Sequence, residues 1–122
     1  MKKQLSVVLA ALAISIVSNA ALAEAKQDFT LVNKTGYVID EVYVAPNQSK
    51  DWLNDVLGQD TLGDSEYVKI KFKPSNSICK YDLKVVYDDK SEVEWTNINL
   101  CEEEKLTIHW NKKSQETSVT YD

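Results

Sequence analysis

From residue 29 onward, apolar and polar side chains alternate in short runs separated by turn residues. Period-two alternation marks strands with one buried face. "FTLVN" (29–33) leads through "KTG" to "YVIDEVYVA" (37–45). Gly36 supplies a turn position suited to positive φ, and Pro46 ends the second run. "EYVKIKF" (66–72) puts Val68, Ile70 and Phe72 on one face and Tyr67, Lys69 and Lys71 on the other. Lys73 extends the polar face, and Pro74 stops the run. "KLTIHW" (105–110) groups Leu106, Ile108 and Trp110, "NKKSQE" turns the chain, and "TSVTYD" (117–122) returns.

The segment "CKYDLKVVYDDKSEVEWTNINLC" (79–101) reads as a hairpin with its turn at Asp88 to Glu92. Centring it on Lys90 sets Tyr87 opposite Val93, Val85 opposite Trp95, Leu83 opposite Asn97, and Tyr81 opposite Asn99. Cys79 then faces Cys101. A one-residue slip would lose that opposition and turn the apolar set to the wrong face. The expected Cys79–Cys101 disulfide clamps the open end.

One stretch breaks the period. In "SKDWLNDVLGQDTLGD" (49–64), Trp52, Leu53, Val56 and Leu57 share a face at helical spacing. Ser49 is a capping residue, Asp51 suits the positive end of a helix dipole, and Gly58 suits a left-handed stop. The spacing predicts a short helix over 50–57 with Asp51, Asn54 and Asp55 outward. Together the elements predict an all-β fold: an antiparallel, two-layer β-sandwich of about seven short strands, with one short helical segment.

The start of the chain reads differently. "MKKQLSVVLAALAISIVSNAALA" has a basic head at Lys2 and Lys3, an apolar run from Leu5 to Val17, and small residues at Ala21 and Ala23. This is the pattern of a secretory signal peptide over 1–23, cleaved after Ala23. The apolar run is short for a bilayer core of about 30 Å, which disfavours a membrane anchor. No cysteine follows the cleavage site, so no lipid anchor is expected there. Residues 24–122 then form a single domain with no further span, placed in the periplasm or outside the cell. In that oxidising setting the two cysteines are expected to pair. Closing their loop contributes about 3 kcal/mol in the chain-entropy model.

Charge narrows the partners. The net charge of −5 becomes −7 once Lys2 and Lys3 are removed. An acidic chain without arginine does not suit nucleic acid or an anionic membrane, and it lacks bidentate forks for phosphate. Lys69, Lys71 and Lys73 form a stripe that reads as a solvated face or a guarded sheet edge.

The catalytic inventory is thin. His109 is the sole histidine and falls on the polar face of its run. There is no G-x-S-x-G elbow and no glycine-rich phosphate loop. Calcium prefers several oxygen ligands in close array. Asp51, Asp55 and Asp60 are the candidates for such a site, with Asp64 nearby. An EF-hand does not fit, because the sixth position from Asp60 is Ser65 and the twelfth is Lys71. No other cofactor is implied. Asn33-Lys34-Thr35 and Asn47-Gln48-Ser49 match glycosylation sequons, but the leader is bacterial in style and such tripeptides arise by chance.

Several marks occur together: N-x-T-G-Y (33–37), Y-V-x-P (43–46), D-W-x-x-D-x-L-G (51–58), Y-D-L-x-V (81–85) and the two flanking cysteines. With these, nearly all of residues 24–122 resembles a family of small exported bacterial β-rich proteins of unknown function. Some members carry the label argininosuccinate lyase. Such lyases are large helical tetramers with a G-S-S serine loop, and this short β-patterned chain has no G-S-S triplet. Similar domains also occur attached to larger proteins, so the resemblance implies an accessory or binding module. "DDKS" stands here where relatives often have an Asp-Gly pair, which leaves the turn type open.

The expectation is therefore an exported, non-catalytic binding or accessory protein, with another protein or a cell-envelope component as partner. Its expected surface is Asp51, Trp52, Asp55, Asp60 and Asp64. One alternative is a periplasmic inhibitor or immunity protein against a secreted toxin or hydrolase. Another is a small enzyme, which the residues disfavour.

Overall fold

In the computed structural model, which describes residues 24–52 and 54–121, every alternating run becomes a strand. These are β1 (Phe29–Lys34), β2 (Ile39–Pro46), β3 (Tyr67–Ile70), β4 (Lys80–Tyr87), β5 (Glu92–Asn99), β6 (Lys105–Asn111) and β7 (Glu116–Tyr121). The signal-peptide expectation for residues 1–23 lies outside the described residues, as does Leu53 of the expected helix. The strands form two sheets, ordered β3-β1-β6-β7 and β2-β4-β5.

Neighbouring strands are antiparallel except β1 and β6, which run parallel. This corrects the expected all-antiparallel arrangement. Alternation looks the same in both pairings, so it cannot separate them. A parallel pair needs a long crossover, and the chain supplies it by building β2 to β5 between Lys34 and Lys105. Leu31, Leu106 and Ile108 of the first sheet and Val42 and Val85 of the second are fully buried in one apolar cluster. Fully burying such a side chain contributes about 1.5–3 kcal/mol, so this shared cluster joins the sheets. Just before β1, the Gln27 amide donates to the carbonyls of Asn76 and Ile78 at 2.8 and 2.7 Å, and Asp28 accepts from Phe72 N at 2.7 Å. These bonds tie the 72–78 loop to the start of β1.

The disulfide is present between Cys79 and Cys101, with Cα atoms 5.2 Å apart. The hairpin register differs from expectation. Val85 pairs with Val93 and Leu83 with Trp95, a shift of two residues. The turn is tighter than expected: Lys90 N donates to Tyr87 O, Tyr87 N donates to Ser91 O, both at 2.9 Å, and Lys90 sits at φ 75°. A shift of two preserves which side chains face inward, so the apolar pattern tolerates it. Below Leu83 the register slips again, and Tyr81 pairs with Ile98. This is a bulge, with Asn97 at φ 59°. Its effect is to turn Ile98 and Leu100 into the interior in place of Asn97 and Asn99. Asp82 braces the bulge by accepting from Asn97 N and from the Asn47 amide, each at 2.9 Å. Burial pushes its carboxyl up, but the bonds from Asn47, Asn97 and Gln48 outweigh that and hold it below the ordinary value of 3.8.

The expected helix over 50–57 is not formed; among the described residues there is no helix. Residues 55–57 instead lie along the free edge of β2. Val56 N donates to Val42 O at 2.8 Å, and the Asp55 carboxylate accepts from Val42 N at 2.8 Å and from Leu57 N at 2.9 Å. A turn follows, with Gly58 at φ 66°. Leu62 then exchanges two 2.9 Å bonds with Ile39. The physical reason is competition. A helix this short is marginal alone, whereas a strand edge offers backbone groups that need partners. Leu57 is buried, but Val56, placed on the apolar helix face by its spacing, stays 41% exposed.

Candidate functional site

The five residues of the expected surface go to separate places. Asp55 is bonded to the β2 edge, as described. The Asp64 carboxylate accepts from Gly36 N at 2.7 Å. Trp52 is half-buried beside Lys84, whose ammonium lies 5.2 Å from the Trp52 ring centroid and 4.9 Å from that of Tyr43. Asp51 and Asp60 are exposed. Among the described residues, no group of three or more His, Cys, Asp or Glu is placed to hold a metal ion. The carboxylate of Asp55, one of the three calcium candidates, is turned to backbone amides. Nearby, the Tyr43 hydroxyl donates to Glu41. That bond, burial and the charges of Glu41, Asp55 and Glu92 push the phenol up to about 12.

The N-x-T-G-Y stretch is a buried polar turn. Asn33 is fully buried, and its amide donates to Tyr37 O at 2.8 Å and Leu62 O at 2.9 Å. Its side-chain oxygen accepts from Thr35 N at 3.0 Å and from the Thr35 hydroxyl at 2.7 Å. Gly36 sits at φ 85°, a conformation that favours glycine. The stretch therefore fixes the β1–β2 turn to the 62–66 segment. Asn33 has no capacity left for a glycan in the folded protein.

At one end of the molecule the two sheets part around a cavity of about 450 Å³. Its apolar wall is Tyr37, Tyr87, Val93 and Trp110, and its polar wall includes Asp88, Asp89, Gln115 and Thr117. Tyr37 follows the β1–β2 turn, Tyr87 ends β4, and Trp110 lies near the end of β6, paired with Thr117 of β7. The β4–β5 turn is well fixed. Asp89 accepts from Ser91 N at 2.9 Å and from the Ser91 hydroxyl at 2.6 Å, and Asp88 N donates to Val38 O at 3.2 Å. The Ser91 hydroxyl and amide hold the Asp89 carboxyl below its ordinary value. Lys90 turns away to Asp40, at 3.2 Å.

Tyr87 is 92% buried by exposure, and its hydroxyl has no partner in hydrogen-bonding geometry. Burial raises its phenol, and the neighbouring Thr117 and Thr35 hydroxyls pull it partly back. His109 lies on the opposite face of β6 from Trp110 and shares a 3.2 Å contact with the Thr120 hydroxyl. A shallower depression of about 770 Å³ lies between the 56–62 turn and Tyr67, with Asp60 among its walls.

None of the cavity residues belonged to the expected surface. One signal pointed to them. Tyr37, Tyr87 and Trp110 each abut a turn, and those turns meet at one end of the two sheets.

The geometry defines a class: the described residues form an all-β fold of seven strands in two sheets, disulfide-bonded, with an aromatic-lined cavity at one end. No family model matches the chain, and no curated protein matches it. Its fold is similar to an NMR structure of a protein from Eubacterium rectale, with a TM-score of 0.58 and 15% identity, covering 83% of this chain and 90% of that one. At that identity the likeness speaks for the fold alone.

Proposed function

We propose that this chain is an exported, non-catalytic binding or accessory β-sandwich protein, and that the end cavity is where it binds. The observation that carries the reading is the cavity itself. Its volume, about 450 Å³, falls in the range of small-ligand sites. Its walls combine aromatic side chains with a few fixed polar groups, the usual make-up of recognition sites. The groups are set for recognition rather than chemistry. Ser91 directs its hydroxyl to Asp89 within the turn, and His109 stands on the outer face of β6. The disulfide is consistent with an oxidising extracellular compartment. A cell-envelope component or a side chain of another protein is the partner this reading expects.

The test is a two-dimensional NMR titration of the oxidised protein, residues 24–122, with fractionated periplasmic extract. Amide and indole shifts are expected at Tyr37, Asp88 to Ser91 and Trp110, and a Trp110→Ala variant should lose them. Shifts confined to residues 49–64 would move the site to that segment and sink the assignment.

A further inference from the structure

We infer that the end cavity takes a protonated organic amine. This rests on the proposal that the cavity is the binding site, and it names the ligand chemistry. Three aromatic rings, Tyr37, Tyr87 and Trp110, line the cavity. The face of each ring carries partial negative charge and attracts a cation within about 6 Å of its centroid. Two exposed acidic residues, Asp88 and Asp89, line the same cavity from the β4–β5 turn. The hydroxyl and amide of Ser91 orient the Asp89 carboxylate and hold its pKa below the ordinary value.

No counter-ion answers these charges from within. Lys90, the cation of that turn, is paired with Asp40. Lys112 and Lys113 lie in the β6–β7 turn with Gln115 but are not among the residues lining the cavity, and none of the lining side chains is cationic. The chain as a whole is acidic. Anions are therefore repelled from the mouth, and cations are drawn to it.

A neutral sugar would also stack on aromatic rings, but it would gain nothing from the negative charge at the mouth. An amine satisfies both features at once. A primary ammonium offers three N–H donors to carboxylates, whereas a quaternary one offers none. Primary amines should therefore bind more tightly than quaternary ones of similar size. The same ammonium chemistry is presented by a free alkylamine or polyamine and by a lysine side chain.

The experiment uses the oxidised protein and follows the Trp110 indole and the Asp88 to Ser91 amides by NMR. The probes are n-butylammonium, spermidine, a capped lysine peptide, tetramethylammonium, n-butanol and methyl glucoside. The amines are expected to shift these signals saturably, with n-butanol about tenfold weaker than n-butylammonium. Salt should weaken amine binding, as should a D88N/D89N double variant. Asn at 89 keeps an oxygen for Ser91, so the turn is retained, and an unchanged thermal midpoint checks this. Tighter binding of spermidine would indicate a free amine, and tighter binding of the peptide a protein lysine. Equal binding of n-butanol, insensitivity to D88N/D89N, or preference for methyl glucoside would overturn the amine inference while leaving the cavity as the site. Silence of every probe at these signals would also overturn it. Silence with periplasmic extract as well would remove the cavity as a binding site.

Discussion

Replacing Asn33 tests whether the N-x-T-G-Y turn is a structural device. Asn33→Ala removes four hydrogen bonds of 2.7 to 3.0 Å from a fully buried site. Two acceptors keep another donor: Leu62 O still receives Ile39 N, and Tyr37 O still receives the Thr35 hydroxyl. Only the buried Thr35 N–H loses its acceptor, so the cost is near the net worth of four bonds plus one orphaned donor. At about 0.5–1.5 kcal/mol each, with some relaxation of the turn, the loss is about 3 kcal/mol. For a domain of this size that lowers the midpoint by more than about 10 °C.

Asn33→Asp should be worse near neutral pH. It sets a carboxylate against the Tyr37 and Leu62 carbonyls, which raises its folded pKa above the unfolded value of about 3.9. The folded state then holds the proton more tightly, so the variant loses stability as pH rises between those two values. It should recover towards the Ala variant at low pH. Urea denaturation of the oxidised protein at two pH values measures both effects. An Asn33→Ala variant within about 0.5 kcal/mol of wild type would refute the assignment, since that is the range of inert surface changes.

Three further outcomes are expected. Asp55→Ala should cost about 1–2 kcal/mol and speed amide exchange at Val42 and Leu57, because both N–H groups lose their acceptor; an unchanged Val42 rate would contradict the edge-cover reading. Asp82 is held below its ordinary 3.8, so its contribution is present above that pH and is lost as pH falls through the lower folded value. Asp82→Asn should flatten this limb of the acid-stability curve, and a curve identical to wild type would count against the brace. Reducing the Cys79–Cys101 bond should cost about 3 kcal/mol by denaturation, with the strands retained by circular dichroism.

The strands were legible because a half-buried strand writes its geometry directly into alternation. Val68 and Ile70 facing inward, with Lys69 outward on an edge strand, need no other information. The cysteine pairing was legible too, because a two-cysteine count leaves one partner each. The hairpin register was not. A slip of two residues preserves facing, and the bulge at Asn97 restores the inward turn of Ile98 and Leu100 in a way alternation cannot anticipate. The parallel pairing of β1 with β6 was equally hidden, since their alternation is the same in either direction.

The segment from Ser49 to Asp64 shows the limit most clearly. Its spacing is locally helical, and locally that is a fair reading. The unpaired amide of Val42 exists only once β2 stands at the edge of a sheet, and it draws Asp55 and Val56 out of a helix. The cavity has the same origin. Tyr37, Tyr87, Trp110 and the two turn aspartates come from three separate turns, and no local motif joins them. Short-range chemistry determined where strands begin, which faces are apolar and which cysteines pair. The tertiary structure decided which backbone groups needed partners and which strand ends met, because both depend on residues far apart in the chain.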